Sequence, residues 1–221
     1  MAIDIGHSCD VPGAISARGV GEYWFNKRIA EGVNARIAAQ KGPIKSFLVN
    51  SPISDLPLAA RPRLAQEKRA DLLISIHHDS VQPECLSYWC VQGQKQHYCD
   101  LYQGFSLYYS ELSGDPDDSL WFAIVLGSEM LKNGLTPSLH HEAKMTGPDK
   151  GLVDRERGIF KYNKLIVLKN APMPAVLLEC GIIVNRDEEL ALSRAEYQEK
   201  IITSIIAAIK KYSQFIGAHA Q

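Results

Sequence analysis

The sequence predicts a single α/β domain, with a twisted, mostly parallel or mixed central sheet and helices on both faces. Three observations predict it. At 221 residues the chain is long enough for one large core and short for two. Short apolar runs alternate with amphipathic stretches along most of its length, the pattern of a sheet covered on both sides. Several of those runs end abruptly on a histidine or glutamate, at the edge of an element that looks buried.

The elements follow in order. Ala2-Ile3-Asp4-Ile5-Gly6 is the first strand. Residues 22–40 place Trp24, Ile29, Val33 and Ile37 at helical spacing, with Gly42 as a stop. Residues 44–49 read as a strand. Residues 61–70 read as a helix that tolerates Pro62 in its first turn, and they feed directly into a strand over 71–76. Residues 86–91 and 105–110 are β-branched or aromatic enough to be strands. Asp115-Pro116 opens a helix through Leu131, closed by Asn133-Gly134. Two further strands are expected over 165–168 and 175–179. Ser193 and Glu196 form a capping box for the last helix, whose stripe is Ile201, Ile205, Ile209, Tyr212 and Ile216. Residues 135–158 break the rhythm: they are polar, carry Pro137, Gly147, Pro148 and Gly151, and show no persistent period. Structureless stretches of that length are uncommon and often functional, so a substrate-lining or lid role stands beside an ordinary surface excursion.

The formal charge of -1 offers no electrostatic reason to expect nucleic acid or an anionic membrane as a partner. No apolar run approaches the length of a membrane span. No positively charged leader precedes the first strand, so export is not shown by the sequence. Five cysteines, Cys9, Cys85, Cys90, Cys99 and Cys180, are too few for a disulfide scaffold; all-free thiols are expected, with one bridge among Cys85, Cys90 and Cys99 as the alternative. The CxxC pattern of a structural zinc site is missing.

Four residues stand out: His7, Glu22, His77 and Glu179. Three sit at strand ends and Glu22 opens a helix. A buried imidazole or carboxylate is costly unless something pairs with it, and ligands of open α/β sheets gather outside the carboxyl ends of the strands. A catalytic zinc takes three ligands from His, Asp or Glu and keeps a fourth position for water. His7, Glu22 and His77 supply such a set, and Glu179 is then available as the non-ligating carboxylate that moves protons. Spacing alone leaves the bland reading open, in which these are hydrogen-bonded structural residues.

The chain resembles the zinc-dependent N-acetylmuramoyl-L-alanine amidases of the amidase-3 family over nearly its whole length. Ile3-Asp4-Ile5-Gly6-His7 is similar to the family's opening Ile-Asp-x-Gly-His strand, and Gly21-Glu22, leading into Asn26 and Ala30, to its helix-start glutamate. Leu58, Arg61 and Ala65, followed by Ser75-Ile76-His77, resemble its Leu-x-x-Arg segment and Ser-Ile-His strand. Pro174-Ala175-Val176-Leu177-Leu178-Glu179 and Gly181-Ile182-Ile183-Val184-Asn185 are similar to its Pro-x-x-Leu-x-Glu and Gly-Phe-Ile-x-Asn pair. Each motif is weak, but the set in this order is specific.

The resemblance implies one zinc ion at His7, Glu22 and His77, with Glu179 as catalytic acid/base. It implies hydrolysis of the amide between N-acetylmuramic acid and L-alanine in peptidoglycan, by a monomer in the periplasm or outside the cell. A phage-type lysis amidase of the same chemistry and an inactive wall-binding module are the alternatives. There are departures from the family pattern. Ser8-Cys9-Asp10 follows the first histidine where glycines are usual, and Cys9 is expected to be a small loop residue. His78 competes with His77 as ligand, and the resemblance favours His77. Cys180 is expected to be a core thiol, because strand neighbours face opposite ways. Activator-dependent members carry an inhibitory helix before the one that here begins at Pro116. Only Ser113-Gly114-Asp115 stands there, so an open site is expected. The extra length lies over 135–158, where His140, His141 and Glu142 are candidate substrate contacts. A second metal is not expected there, since nothing else nearby in sequence has ligand spacing.

Overall fold

The structure is a computed structural model that describes residues 1–50 and 56–219. Along the chain come β1 (Ala2–Ile5), α1 (Glu22–Ala39), β2 (Phe47–Leu48), α2 (Ala60–Glu67), β3 (Leu73–Asp79), β4 (Ser87–Val91) and β5 (Gln94–Tyr98). They are followed by β6 (Ser106–Tyr109), α3 (Pro116–Lys132), β7 (Lys150–Asp154), β8 (Ile159–Tyr162), α4 (Ile166–Lys169), β9 (Ala175–Ile182), α5 (Arg186–Leu192) and α6 (Ala195–His219). A seven-stranded mixed sheet runs in the order β2-β1-β3-β9-β6-β8-β7, and β4 and β5 form a separate hairpin. The centre is parallel: β1 pairs with β3, and β3 with β9. β6 runs antiparallel to β9, and β7 antiparallel to β8.

The period of two along each central strand sorts its side chains between two cores. Ile3, Ile5, Ile74, Ile76, Val176 and Leu178 face α1, α3 and α6. Ala2, Leu73, Ala175 and Leu177 face the other way, toward α2 and α4. Burying each leucine or isoleucine contributes about 1.5–3 kcal/mol relative to exposure, so the register of these strands is strongly specified. On the α2 face the alternation also places two polar residues, Asp4 and Ser75, and both are fully buried. Ser75 Oγ donates to Asp4 Oδ2 at 2.7 Å, and Arg61 Nη1 reaches Asp4 Oδ1 at 3.1 Å and the Ile5 carbonyl at 2.9 Å. Burial pushes the Asp4 carboxyl up, against Arg61 and Ser75, which favour its charge. Arg61→Ala strands that carboxylate and is expected to lower unfolding stability by about 3–5 kcal/mol in urea titrations.

Several boundaries differ from the sequence reading. On α1 the buried stripe is Phe25, Ile29, Val33 and Ile37, and Trp24, one residue off that stripe, is 46% exposed. Only Phe47 and Leu48 of the expected 44–49 strand pair with β1. The expected strand at 165–168 is the single turn α4, a run too short for periodicity to separate helix from strand. The polar stretch 135–158 contains β7, which with β8 closes the far edge of the sheet. Strand β5 is polar because both its faces are largely outside the core, and its hairpin turns at Gln92 and Gly93, both with positive φ. Ser193 does not cap α6; its hydroxyl donates back to the Glu189 carbonyl and closes α5, the helix that Asn185 caps through the amides of Asp187 and Glu188. No disulfide joins Cys85, Cys90 and Cys99. No helix among the described residues is long and apolar enough to cross a membrane.

Candidate active site

β1, β3 and β9 lie side by side and parallel, so their carboxyl ends open at one edge. His7 follows β1, His77 is on β3, and Glu179 on β9 stands opposite His77 in register. By parity His77 and Glu179 share the α2 face with Ser75 and Leu177. His7 has φ 66, a left-handed conformation that histidine adopts more readily than most residues. Backbone strain of this kind tends to sit at functional positions.

Glu22, the first residue of α1, is buried and receives both imidazoles. His7 Nε2 lies 2.9 Å from its Oε2, and His77 Nδ1 3.0 Å from its Oε1. Asn26, one turn along the helix, donates to Oε1 at 3.0 Å, and the Ala14 amide donates to Oε2 at 3.2 Å. Burial pushes this carboxyl up, but the hydrogen bonds from His7 and His77 outweigh it and hold Glu22 well below the usual carboxylate range. One ligand atom from each of the three residues lies within 4.8 Å of the others. Two imidazoles and a carboxylate are the donor types zinc takes, and their spacing fits one ion.

Two glycines make room for this cradle. A Cβ on Gly6 would sit 2.5–2.6 Å from the His77 ring, and one on Gly13 would sit 2.5 Å from Glu22 Oε2 and 2.6 Å from the His7 ring. Gly6→Ala is therefore expected to displace His77 and to weaken the affinity of this donor set for added zinc by about 10–100-fold in chelator competition, the loss typical of disturbing a ligand's support. Far-UV circular dichroism should stay unchanged.

His78 faces the opposite way. It is buried, with Nδ1 2.8 Å from Asn26 Oδ1, and burial drives its imidazole down to about 3. Cys180 likewise points into the α1–α3–α6 core at 1% exposure. Glu179 is different. Its Oε2 is buried and accepts no hydrogen bond from any described residue. Burial, then the charges of Asp79 and Glu22, push its carboxyl well above the ordinary value. A carboxyl group whose proton affinity is raised in this way is suited to taking and returning a proton.

Two clefts meet over this edge. One, of about 380 Å³, is lined by His7, His77 and Arg61. The other, of about 330 Å³, is lined by Glu179, Tyr108, His141, Lys144 and Lys150. They share Leu165 and Leu177 as a common wall, with the histidine pair on one side and Glu179 on the other. No helix lies between β6 and α3 among the described residues. Of the residues singled out over 135–158, His140 and His141 reach the end of β3, whereas Glu142 pairs with Arg155 on the surface. Asp79 was missed by the sequence reading. It lies two residues beyond His77 on the same strand, and that spacing was the available signal.

A family model described as N-acetylmuramoyl-L-alanine amidase, of the amidase-3 type, matches residues 1–211. The chain is similar to the N-acetylmuramoyl-L-alanine amidase AmiC of Escherichia coli O6:H1, 28% identical over 231 residues, covering 96% of this chain and 52% of that protein. It thus spans about half the length of that relative. It also resembles the catalytic domain of CwlV, an N-acetylmuramoyl-L-alanine amidase from Bacillus (Paenibacillus) polymyxa var. colistinus. There the TM-score is 0.71 at 26% identity, over 96% of this chain and 97% of the other. The amidase Ami1 from Mycobacterium smegmatis shares the fold, with a TM-score of 0.73 at 19% identity over 96% and 94% of the two chains. The match runs through β1, β3 and β9 and the edge where they open, and on it the chain belongs to the amidase-3 family of N-acetylmuramoyl-L-alanine amidases.

Proposed function

We propose that this chain hydrolyses the amide between the lactyl group of N-acetylmuramic acid and the L-alanine of the peptidoglycan stem peptide. Residues 1–221 act as one catalytic unit, with 135–158 as an insertion beside the cleft. His7, Glu22 and His77 hold one zinc ion, and Glu179 is the acid/base. The observation that carries this reading is the buried Glu179 Oε2, which accepts no hydrogen bond from any described residue, in a cleft that shares a wall with the one lined by His7 and His77 of the three-donor cradle.

Zinc bound in the cradle would supply Lewis acidity, polarising the scissile carbonyl and lowering the pKa of water. The chain's own groups do the rest. Asn26 and the amide of Ala14 fix the Glu22 carboxylate, and Gly6 and Gly13 leave the space in which both imidazoles turn toward it. Glu179 accepts a proton from the attacking water as its oxygen bonds to the carbonyl carbon. It returns that proton to the L-alanine nitrogen as the carbon–nitrogen bond breaks. Burial of Glu179 makes it a better base toward the attacking water when ionised, and keeps the carboxyl protonated until it donates to the nitrogen as the carbon–nitrogen bond breaks.

The substrate class places this activity in the periplasm or outside the cell, where peptidoglycan lies. Mass spectrometry of peptidoglycan digested by the purified protein tests the reading. Stem peptides beginning with free L-alanine are expected, together with intact N-acetylmuramic acid. Products cut within the peptide or between sugars, without free L-alanine termini, would overturn it.

A further inference from the structure

We propose that Asp79, His140 and His141 form a second divalent-cation site, of the zinc class, which ties the 135–158 segment to the end of β3. The three residues come from two places in the chain. Asp79 is the last residue of β3, while His140 and His141 lie in the segment between α3 and β7. Asp79 Oδ2 lies 2.9 Å from His141 Nε2 and 3.4 Å from His140 Nε2. One ligand atom from each lies within 4.8 Å of the others, the criterion that the His7, Glu22 and His77 set also meets. The Ser80 carbonyl oxygen, 3.1 Å from His140 Nε2, adds a fourth donor beside them.

The far side of His140 has the partner that a metal-binding histidine requires, since Ser138 Oγ, 2.9 Å from Nδ1, can accept its N–H. The far side of His141 faces the amide nitrogen of Gln82, 3.4 Å from Nδ1. Ser138 is itself anchored, its amide donating to the Phe105 carbonyl at 2.7 Å. The two imidazoles are neighbours in sequence with ring centroids 3.8 Å apart, so both being protonated would place two positive charges side by side. The His140 side chain is 2% exposed. A cation shared between two neutral imidazoles and one carboxylate satisfies all three groups at once. Two nitrogens with two oxygens select a borderline ion such as zinc, whereas calcium and magnesium take all-oxygen sets.

This site shares no residue with the His7, Glu22 and His77 set. Its consequence is mechanical. His141 and Gln82 line the cleft that holds Glu179, so a cation here would fix one wall of that cleft.

Zinc per chain, measured by plasma mass spectrometry after equilibration with zinc and gel filtration, tests the site. Three forms are compared: the unaltered protein, His7→Ala/His77→Ala, and His140→Ala/His141→Ala. Two, one and one zinc per chain are expected. The zinc left in His7→Ala/His77→Ala should be replaceable by cobalt with the visible absorption of a nitrogen-and-oxygen site. One zinc in the unaltered protein and none in His7→Ala/His77→Ala would overturn the second site. One zinc that survives in His7→Ala/His77→Ala and is lost from His140→Ala/His141→Ala would uphold it and sink the catalytic assignment instead. The first two forms keep the proposed cluster intact, so the test stands even where the last variant fails to fold.

Discussion

Under the proposed mechanism, Glu179→Gln is expected to keep its fold and the metal affinity of the His7, Glu22 and His77 cradle while losing about 10²–10⁴-fold in kcat for muropeptide hydrolysis, the usual contribution of a positioned acid/base. Glutamine keeps the size of the side chain and its place opposite His77, but it can neither take the proton from water nor return it to the amine. KM should change little, because the role proposed for Glu179 is proton transfer and not holding the sugar or peptide. A second readout separates this role from a structural one. In the zinc-free protein the buried carboxylate has no hydrogen-bond partner at Oε2, and burying an unpaired charge is costly. Removing it should therefore leave thermal stability at pH 8 unchanged or higher. A Glu179→Gln protein that cleaves muropeptide at the unaltered rate would refute the assignment, and one that unfolds at a lower temperature would point to a packing role.

Loss of the cradle has the second large effect. His77→Ala is expected to weaken metal binding at the proposed His7, Glu22 and His77 cradle by more than about 100-fold, beyond the 10–100-fold that follows from disturbing an outer partner of a ligand. Hydrolysis should fall below detection with it. Chelator treatment of the unaltered protein should abolish activity and added zinc should restore it, with no such recovery in His77→Ala. His78→Ala provides the contrast. That ring packs on Phe25 and Asn26 in the core, so its loss should lower stability while leaving the zinc affinity of the folded protein intact. If His78→Ala lost the metal and His77→Ala kept it, the ligand assignment would have the wrong strand face.

The central strands were legible in the sequence because they are short, apolar and bounded by polar residues: Ala2–Ile5, Leu73–Asp79 and Ala175–Ile182 each coincide with such a run. The periphery was not. Gln94–Tyr98 and Lys150–Asp154 pair through their backbones while exposing much of their side-chain surface, so no apolar period marks them. Ile166–Lys169 is apolar but only one turn long, and packing against the α2 face of the sheet settles its conformation. Helical spacing starts the α1 stripe at Trp24, which is exposed. A rotation of one residue puts Phe25 inside instead.

The residue types and their order along the chain were enough to single out His7, Glu22, His77 and Glu179, because strand ends in an open α/β sheet converge wherever the connections are right-handed and the strands parallel. Three things needed the assembled fold. Alternation could not choose between His77 and His78 while both faces of the sheet were covered; the packing of α1 against β3 chose, turning His78 toward Asn26. The space around the cradle depends on Gly6 and Gly13, whose missing Cβ atoms matter only once His77 and Glu22 approach them from other elements. And Asp79 meets His140 and His141 across about sixty residues of chain, a separation that spacing rules do not bridge. Local pattern specifies which side chains reach the edge of the sheet, but contacts between distant segments decide which of them touch.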